Sequence, residues 1–423
     1  MILLAARPTA SLVDAFHRVL DPRDAEQLVR EHLDVTGCVV DCVTPYFARP
    51  KGDEGGIAGY RVLMADGSTQ YVTVRVARVE RLWSGLERFR SEVAKSRGDL
   101  AMAAVAPDHL SLLTTFPLDR RIPRLRSQTD IRKVRRLLTT PGGGVKRYRV
   151  SKSGSTWEVA SFRPERRAVI RWSLGVHDAD GAPSREDLYV RAYAEQNHAD
   201  RAWSAIWALE AVGFPAPRPS VRPELGVILE QAVAGGTPPA AKLPFETLGS
   251  LTARLHETPV PDGLPQLRPR WRLAQAGRAV RALQYIDDSF WRRARQAWER
   301  LDARAPRSSE DPRFLHGDLH PGQVVLGDGM SLVDFDRARM GSRASEVATL
   351  AAHLTLADAE MAPDYLSRFR AGYETRHHWV DGERLRWNTG LALLALIDAP
   401  FRRVDPHWRA ATRMLLERVE ELS

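Results

Sequence analysis

The hydrophobic positions of this chain switch repeatedly between a helical and a strand period. Leu12, Ala15, Phe16 and Val19 share one face ahead of Pro22, the spacing of an amphipathic helix that proline closes. A second helix is predicted over residues 25–33. Strand-like runs follow at 38–43 and 60–64, and Ala65-Asp66-Gly67-Ser68 turns the second into another strand at 71–76, a hairpin signature. One long amphipathic helix is predicted over 80–95, then strands at 100–105 and 110–116 and a short basic helix at 130–138. Pro141-Gly142-Gly143-Gly144 holds no regular element and marks a boundary between units.

Beyond it the pattern predicts strands at 145–150, 157–162, 169–176 and 188–193, a helix over 199–212 ended by Gly213 and Pro215, and a strand at 227–231. Gly235-Gly236-Thr237-Pro238-Pro239 forms a flexible crossing. The remainder reads as helical except around 314–336. A β-rich lobe, a hinge and a helical lobe make a bilobal α+β arrangement with a cleft between the lobes. The order strand, strand, long helix, strand, strand over 60–116 repeats over 169–231, with Tyr71-Val-Thr-Val-Arg75 in one and Leu188-Tyr-Val-Arg191 in the other. Either the N-terminal segment is a degenerate second copy of the β-rich lobe, or it is an unrelated α+β cap with common hairpin chemistry.

Composition narrows the class. A chain of 423 residues with 43% hydrophobic and 27% charged residues suits a folded protein of two or three units. Two cysteines, Cys38 and Cys42, make no disulfide scaffold and read as reduced packing residues on one strand. The opening Met-Ile-Leu-Leu-Ala-Ala is too short for a signal peptide, and Leu391 to Ile397 is far short of a bilayer span, so a cytoplasmic protein without membrane partners is expected. The net charge of +9 is N-terminal: 35 Lys and Arg face 27 Asp and Glu over residues 1–229, against 27 and 26 over 230–423. Such an excess attracts nucleotide phosphates, and nucleic-acid binding is not expected. Oligomeric state cannot be read.

Chemistry concentrates in residues 314–336. Asp318, Gln323 and Asp334 stand five and sixteen positions apart on short apolar strands joined by tight loops. One carboxylate can orient a hydroxyl while an amide oxygen and a second carboxylate hold magnesium, and phosphoryl transfer runs on such positioning and charge neutralisation. No Gly-x-x-x-x-Gly-Lys-Ser/Thr loop and no dinucleotide fingerprint occurs.

His316-Gly317-Asp318-Leu319-His320-Pro321-Gly322-Gln323, followed by Val333-Asp334-Phe335-Asp336, resembles the aminoglycoside phosphotransferase and choline kinase-like family. The likeness covers roughly residues 140–423. It implies a protein-kinase-like fold using ATP and magnesium, with an extra α+β domain at residues 1–140, a nucleotide-binding lobe at 141–232 and a helical lobe at 233–423. It further implies Asp318 as catalytic base, Asp334 as magnesium ligand, and Gln323 in place of the usual metal-binding asparagine. His316 would brace the loop. His320 invites a metal-pair reading that Gly317 and Pro321 argue against, and Asp336 would support the metal shell or pair with an arginine.

Arg191 stands where the family has a lysine on the third strand. It can still fork onto phosphates. The acidic helix partner falls at Ala202, with Glu195 and Asp200 as substitutes. Arg163 and Arg166 lie in the turn that would cover the phosphates. Glu230, Gln231 and Ala232 sit at the lobe junction, where backbone groups would hold adenine. Gly341 to Glu346 replaces a Gly-Asp-Pro run, Glu346 standing in for a structural aspartate. The expected function is ATP-dependent phosphorylation of a hydroxyl on a sugar, metabolite or antibiotic. The alternative is a catalytically silent protein that keeps the fold and binds nucleotide or ligand.

Overall fold

A computed structural model describes residues 10–34, 39–93, 100–122, 124–138, 149–177, 182–224, 226–306 and 311–423. The glycine run at 141–144, Cys38 and the opening six residues lie outside these. Pro22 starts a helix instead of closing one: α1 (Ala10–Arg18) ends before it, and Pro22 is the first residue of α2 (Pro22–His32), with Asp21 capping the amides of Arg23 and Asp24. Proline is preorganised for that position and has no amide to waste there.

The first sheet is antiparallel, with β1 (Val40–Pro50), β2 (Gly56–Met64), β3 (Thr69–Val76), β4 (Ala103–Ala106) and β5 (Ser111–Thr115) in the order β1-β2-β3-β5-β4. β1 is longer than its hydrophobic run because it passes through Pro45 at an irregularity in its register with β2, where the missing amide is tolerated. Cys42 on this strand is exposed and does not pack. The single helix expected over 80–95 breaks into α3 (Val79–Glu87) and the one-turn α4 (Arg90–Val93). After α5 (Ile131–Leu138) comes a second antiparallel sheet of β6 (Arg149–Arg163), β7 (Arg167–His177), β8 (Pro183–Tyr193), β9 (Pro219–Glu224) and β10 (Val227–Gln231), ordered β6-β7-β8-β10-β9. Two predicted strands merge into β6, and β9 carries no sequence signal. α6 (Gln196–Ala211) crosses between β8 and β9 as α3 and α4 cross between β3 and β4.

The helical lobe holds α7 (Phe245–Glu257), α8 (Pro269–Leu283) and α9 (Asp288–Ala303), then the short strands β11 (Arg313–Leu315), β12 (Val324–Leu326), β13 (Met330–Leu332) and β14 (Arg339–Gly341). It closes with α10 (Arg343–Ala357), α11 (Ala362–Tyr373), α12 (Gly382–Ala395), α13 (Ala399–Arg402) and α14 (Trp408–Leu422). With the second sheet it forms a bilobal α+β arrangement of a strand-rich and a helical lobe. No helix among the described residues is long and apolar enough to cross a membrane.

Three cores fix the arrangement. Leu12, Phe16, Leu28 and the inner residues of the first sheet share one core with α8, α9, α12 and α14. The second sheet closes over Phe116, Ile122, Leu125 and Val134. α6, α7, α10 and α11 bury Leu319, Val324 and Phe335 of the motif segment. At about 1.5–3 kcal/mol for each large side chain taken from water, these contacts hold both sheets rigidly against the helical lobe.

Candidate active site

Two small ladders gather the motif. β11 pairs with β14, Leu315 opposite Arg339, and β12 pairs with β13, Val324 opposite Leu332. Together they bring the 316–320 loop against the 333–338 loop. His316 donates from Nε2 to Val333 O at 2.9 Å, and its ring lies 4.5 Å from that of Phe335, so its role is bracing. Gly317 has φ +80, and a Cβ there would come within 2.1 Å of Arg337 O, so only glycine fits this crossing. Glu346, fully buried on α10, accepts from the amides of His316 and Gly317, the latter at 3.1 Å. It anchors the loop as the structural acid the sequence suggested.

Leu319 is buried, and Asp318 beside it is half-buried. Its Oδ1 accepts from Arg337 Nη1 at 3.1 Å, with His353 Nε2 at 4.0 Å. Burial raises the Asp318 carboxyl, but Arg337 and the neighbouring imidazoles outweigh it and hold the group well below the usual carboxylate range. His320 stacks on His353 with ring centres 4.5 Å apart and accepts from the Gly322 amide at Nδ1. It turns back onto its own loop, away from any pairing with His316. Burial pushes His320 down to about 4 and His353 to about 3, so both are neutral at pH 7.

Asp334 is the hub. Its backbone is left-handed at φ 71, a conformation non-glycine residues rarely keep without a functional constraint. Oδ1 accepts from Arg167 Nη1 at 2.6 Å and Arg191 Nη1 at 2.9 Å, and Gln323 Nε2 lies 3.3 Å from Oδ2. Burial alone would raise this carboxyl; the two guanidiniums hold it far below its ordinary value. Arg167 Nη1 also reaches Asp336 Oδ2 at 2.6 Å, so Asp336 pairs with an arginine.

Arg191 is buried and forked. Besides Asp334 it donates from Nε to Glu230 Oε2 at 2.8 Å. Its acid partner therefore comes from the neighbouring strand and not from α6: Glu195 faces Arg121 at 3.2 Å and Asp200 accepts from Gln196. At the lobe junction two backbone donors are already engaged. The amides of Gln231 and Ala232 already donate to Arg218 O and Asp187 O, each at 3.0 Å, because β10 continues its pairing to the strand end, so neither is open to a base. Arg163 ends β6 and Arg166 lies in the following turn; both are exposed.

Gln323, Asp334, Arg191 and Glu230 are thus brought together, and Asp318 is held by Arg337 on the adjoining loop. Arg337, Arg167 and His353 complete the cluster and escaped the sequence reading. Arg337 follows Asp336 directly and was legible in principle, whereas His353 lies far along α10 without a local signal. A pocket of about 520 Å³ between α8 and α12 includes none of these residues in its lining.

The donor set fits one magnesium ion sparingly. Asp334 Oδ2 accepts a single contact, and turning over the Gln323 amide sets a second hard oxygen beside it. No group of three His, Cys, Asp or Glu among the described residues is gathered to hold a metal, so phosphates and water would supply the remaining ligands, as magnesium commonly requires.

Residues 222–380 match the family model of the phosphotransferase enzyme family. No curated protein matches the chain. Similar solved structures include an amicoumacin kinase in complex with AMP-PNP, Ca2+ and its antibiotic (14% identity, 65% of this chain and 90% of that one, TM-score 0.48). A Plasmodium vivax ethanolamine kinase (12%, 64% and 82%, TM-score 0.46) and a Cryptosporidium parvum choline kinase (10%, 65% and 91%, TM-score 0.47) are similar to the same extent.

Proposed function

We propose that this chain, whose residues 222–380 belong to the phosphotransferase enzyme family, transfers the γ-phosphoryl group of ATP to a hydroxyl of a small molecule, with magnesium. The observation that supports the reading is the contact of Gln323 with Asp334 beside Arg191, with Asp318 held by Arg337 of the adjoining loop. The acceptor oxygen forms the new P–O bond while the bond from phosphorus to the β,γ-bridging oxygen breaks, its electron pair leaving on ADP. The hydroxyl proton passes to Asp318. A carboxylate held so far below its usual range is a weak base, so Asp318 chiefly orients the hydroxyl and takes the proton late, which suits a loose transition state. Arg337 keeps that carboxylate aimed. Arg163 and Arg166 would cover the phosphates, and Arg191 would steady them from below.

Magnesium, when bound by Asp334 and Gln323, would supply charge neutralisation at the phosphates. Steady-state ADP release with ATP and magnesium across sugars, amino alcohols and antibiotics tests the reading. Turnover that needs Asp318 supports it; release unaffected by Asp318→Ala sinks it.

One observation favours a silent binding protein instead. Both motif carboxylates are already met by guanidiniums, two on Asp334 and one on Asp318. In that case nucleotide would stabilise the protein equally with and without magnesium. Magnesium-dependent stabilisation together with turnover decides for the enzyme.

A further inference from the structure

Resting on the phosphotransferase reading, we propose that the first sheet is a second copy of the nucleotide-binding lobe that clamps the β6–β7 turn, and that Glu165 is the positioning residue it grips. Strand order and crossover agree: β1-β2-β3-β5-β4 stands against β6-β7-β8-β10-β9, with helix between β3 and β4 as between β8 and β9. The register agrees as well. Arg75 faces Ile57 and Leu112 as Arg191 faces Val169 and Ile228. Residues 75 and 191 are separated by the same 116 positions as 112 and 228. On that offset the pair Tyr189 and Glu230 corresponds to the pair Thr73 and Thr114.

The counterpart of the acid that holds Arg191 is therefore a neutral threonine, and Arg75 takes its close acid from the other copy. Its Nη1 donates to Glu165 Oε1 at 2.6 Å, and both side chains are buried. Glu54 of its own β1–β2 turn stays at 3.8 Å. Three further cations surround Glu165. Lys51 of the β1–β2 turn lies at 3.3 Å, Arg49 of β1 at 3.7 Å and Arg120 after β5 at 3.8 Å. Charge-assisted contacts from three places in the first sheet fix this carboxylate in one position.

The backbone of the turn is held too. Connecting segments usually run over the surface, yet Pro164 and Glu165 are buried and only the flanking Arg163 and Arg166 are exposed. Asp119 Oδ2 accepts from the Glu165 amide at 2.7 Å, while its Oδ1 accepts from the amides of Arg121 and Ile122 at 2.7 and 2.9 Å. Tyr46 Oη donates to Phe162 O at 3.0 Å, and Arg49 Nη2 to Pro164 O at 3.4 Å. Glu165 has φ 57, a left-handed backbone that a non-glycine residue keeps only where its surroundings over-determine it.

The grip reaches the candidate active site through one short step of chain. Only Arg166 separates Glu165 from Arg167, the first residue of β7. Arg167 Nη1 lies 2.6 Å from Asp334 Oδ1 and 2.6 Å from Asp336 Oδ2. A turn anchored at Glu165 sets where Arg167 meets the proposed magnesium ligand, so the first sheet keeps the nucleotide side of the cleft in its binding geometry before nucleotide arrives.

Glu165→Gln removes the charge and keeps the shape. In the whole protein without nucleotide, exchange of the Glu165 and Arg166 amides should quicken at least about tenfold, because a buried pair broken from one side leaves Arg75 uncompensated. β2 and β3 should stay protected. Calorimetric affinity for AMP-PNP with magnesium should weaken several-fold, since only the fraction of molecules with the turn in place binds at full strength. Arg120→Gln, at the exposed rim of the ring, should do the same to a lesser degree and covers a Glu165 variant that fails to fold. Unchanged exchange at the turn in both variants overturns the clamp, as does loss of protection spread evenly over the first sheet in both. Faster exchange at the turn with unchanged AMP-PNP affinity overturns the positioning role. Faster exchange in variants of a protein that binds no AMP-PNP even as wild type supports the clamp and removes only the phosphotransferase reading.

Discussion

Arg191→Met isolates the buried fork on which the nucleotide side of the cleft is built. The guanidinium lies 2.8 Å from Glu230 and 2.9 Å from Asp334, and the three side chains are only 9%, 3% and 11% exposed. Removing it leaves Asp334 with Arg167 but strips Glu230 of its one ion-pair partner among the described residues. Breaking a buried pair from one side costs about 3–5 kcal/mol, or on the order of 10 °C in the unfolding temperature of a lobe this size. Burial raises the Glu230 carboxyl despite Arg191, which opposes it; without that cation it rises further. A carboxyl whose folded pKa exceeds its unfolded one loses stability as pH climbs from the unfolded value. The deficit of the variant should therefore be smaller at pH 5 than at pH 8. Replacing both partners, Arg191→Met with Glu230→Gln, should recover more than half of the loss. The readout is the thermal unfolding midpoint at matched pH. A drop under about 2 °C at pH 8, or a double variant no better than the single, would refute the account.

Asp318→Asn keeps size and leaves Arg337 without its acid, and should lower kcat by about 10²–10⁴ in the ADP-release assay with little change in KM for ATP. Gln323→Asn restores the family's usual residue but draws the amide back from Asp334 by about one bond length, so the magnesium concentration for half-maximal activity should rise several-fold. Glu346→Ala strands two buried amides at about 1–3 kcal/mol each, and its unfolding temperature should fall more than its KM changes. His320 and His353 have folded values below the ordinary 6.5, so the unfolded chain binds more protons between that value and about 4. Stability should fall as pH drops through this window, and His353→Phe should flatten the dependence of unfolding temperature on pH.

What was legible follows from how local each signal is. The motif could be read because Asp318, Gln323 and Asp334 lie within one short segment with buried residues between them, so sequence spacing nearly equals geometry. Arg191 was legible as a charge in an apolar strand. Its partner was not, because pairing with Glu230 depends on the register of β8 against β10, and the intervening helix made α6 the natural place to look. His353 reaches Asp318 only through the packing of α10. The break between α3 and α4 likewise left no trace in a run that keeps helical periodicity across it. The repeat was visible as an order of elements, and only register showed Arg75 and Arg191 to be counterparts.

The guanidiniums on Asp334 carry one last consequence. A carboxylate shared between Arg167 and Arg191 has little net charge left, and Coulomb attraction to a divalent ion scales with that charge. Free magnesium should therefore bind the empty cleft weakly, whereas a nucleotide brings phosphate oxygens whose negative charge the arginines can meet. With Arg167 and Arg191 both on Asp334, the charge balance favours phosphates over a bare metal ion. Ordered-addition binding tests this: AMP-PNP without magnesium should still bind, about tenfold more weakly than with the ion. Nucleotide binding that vanishes in a chelator would contradict this balance of charges.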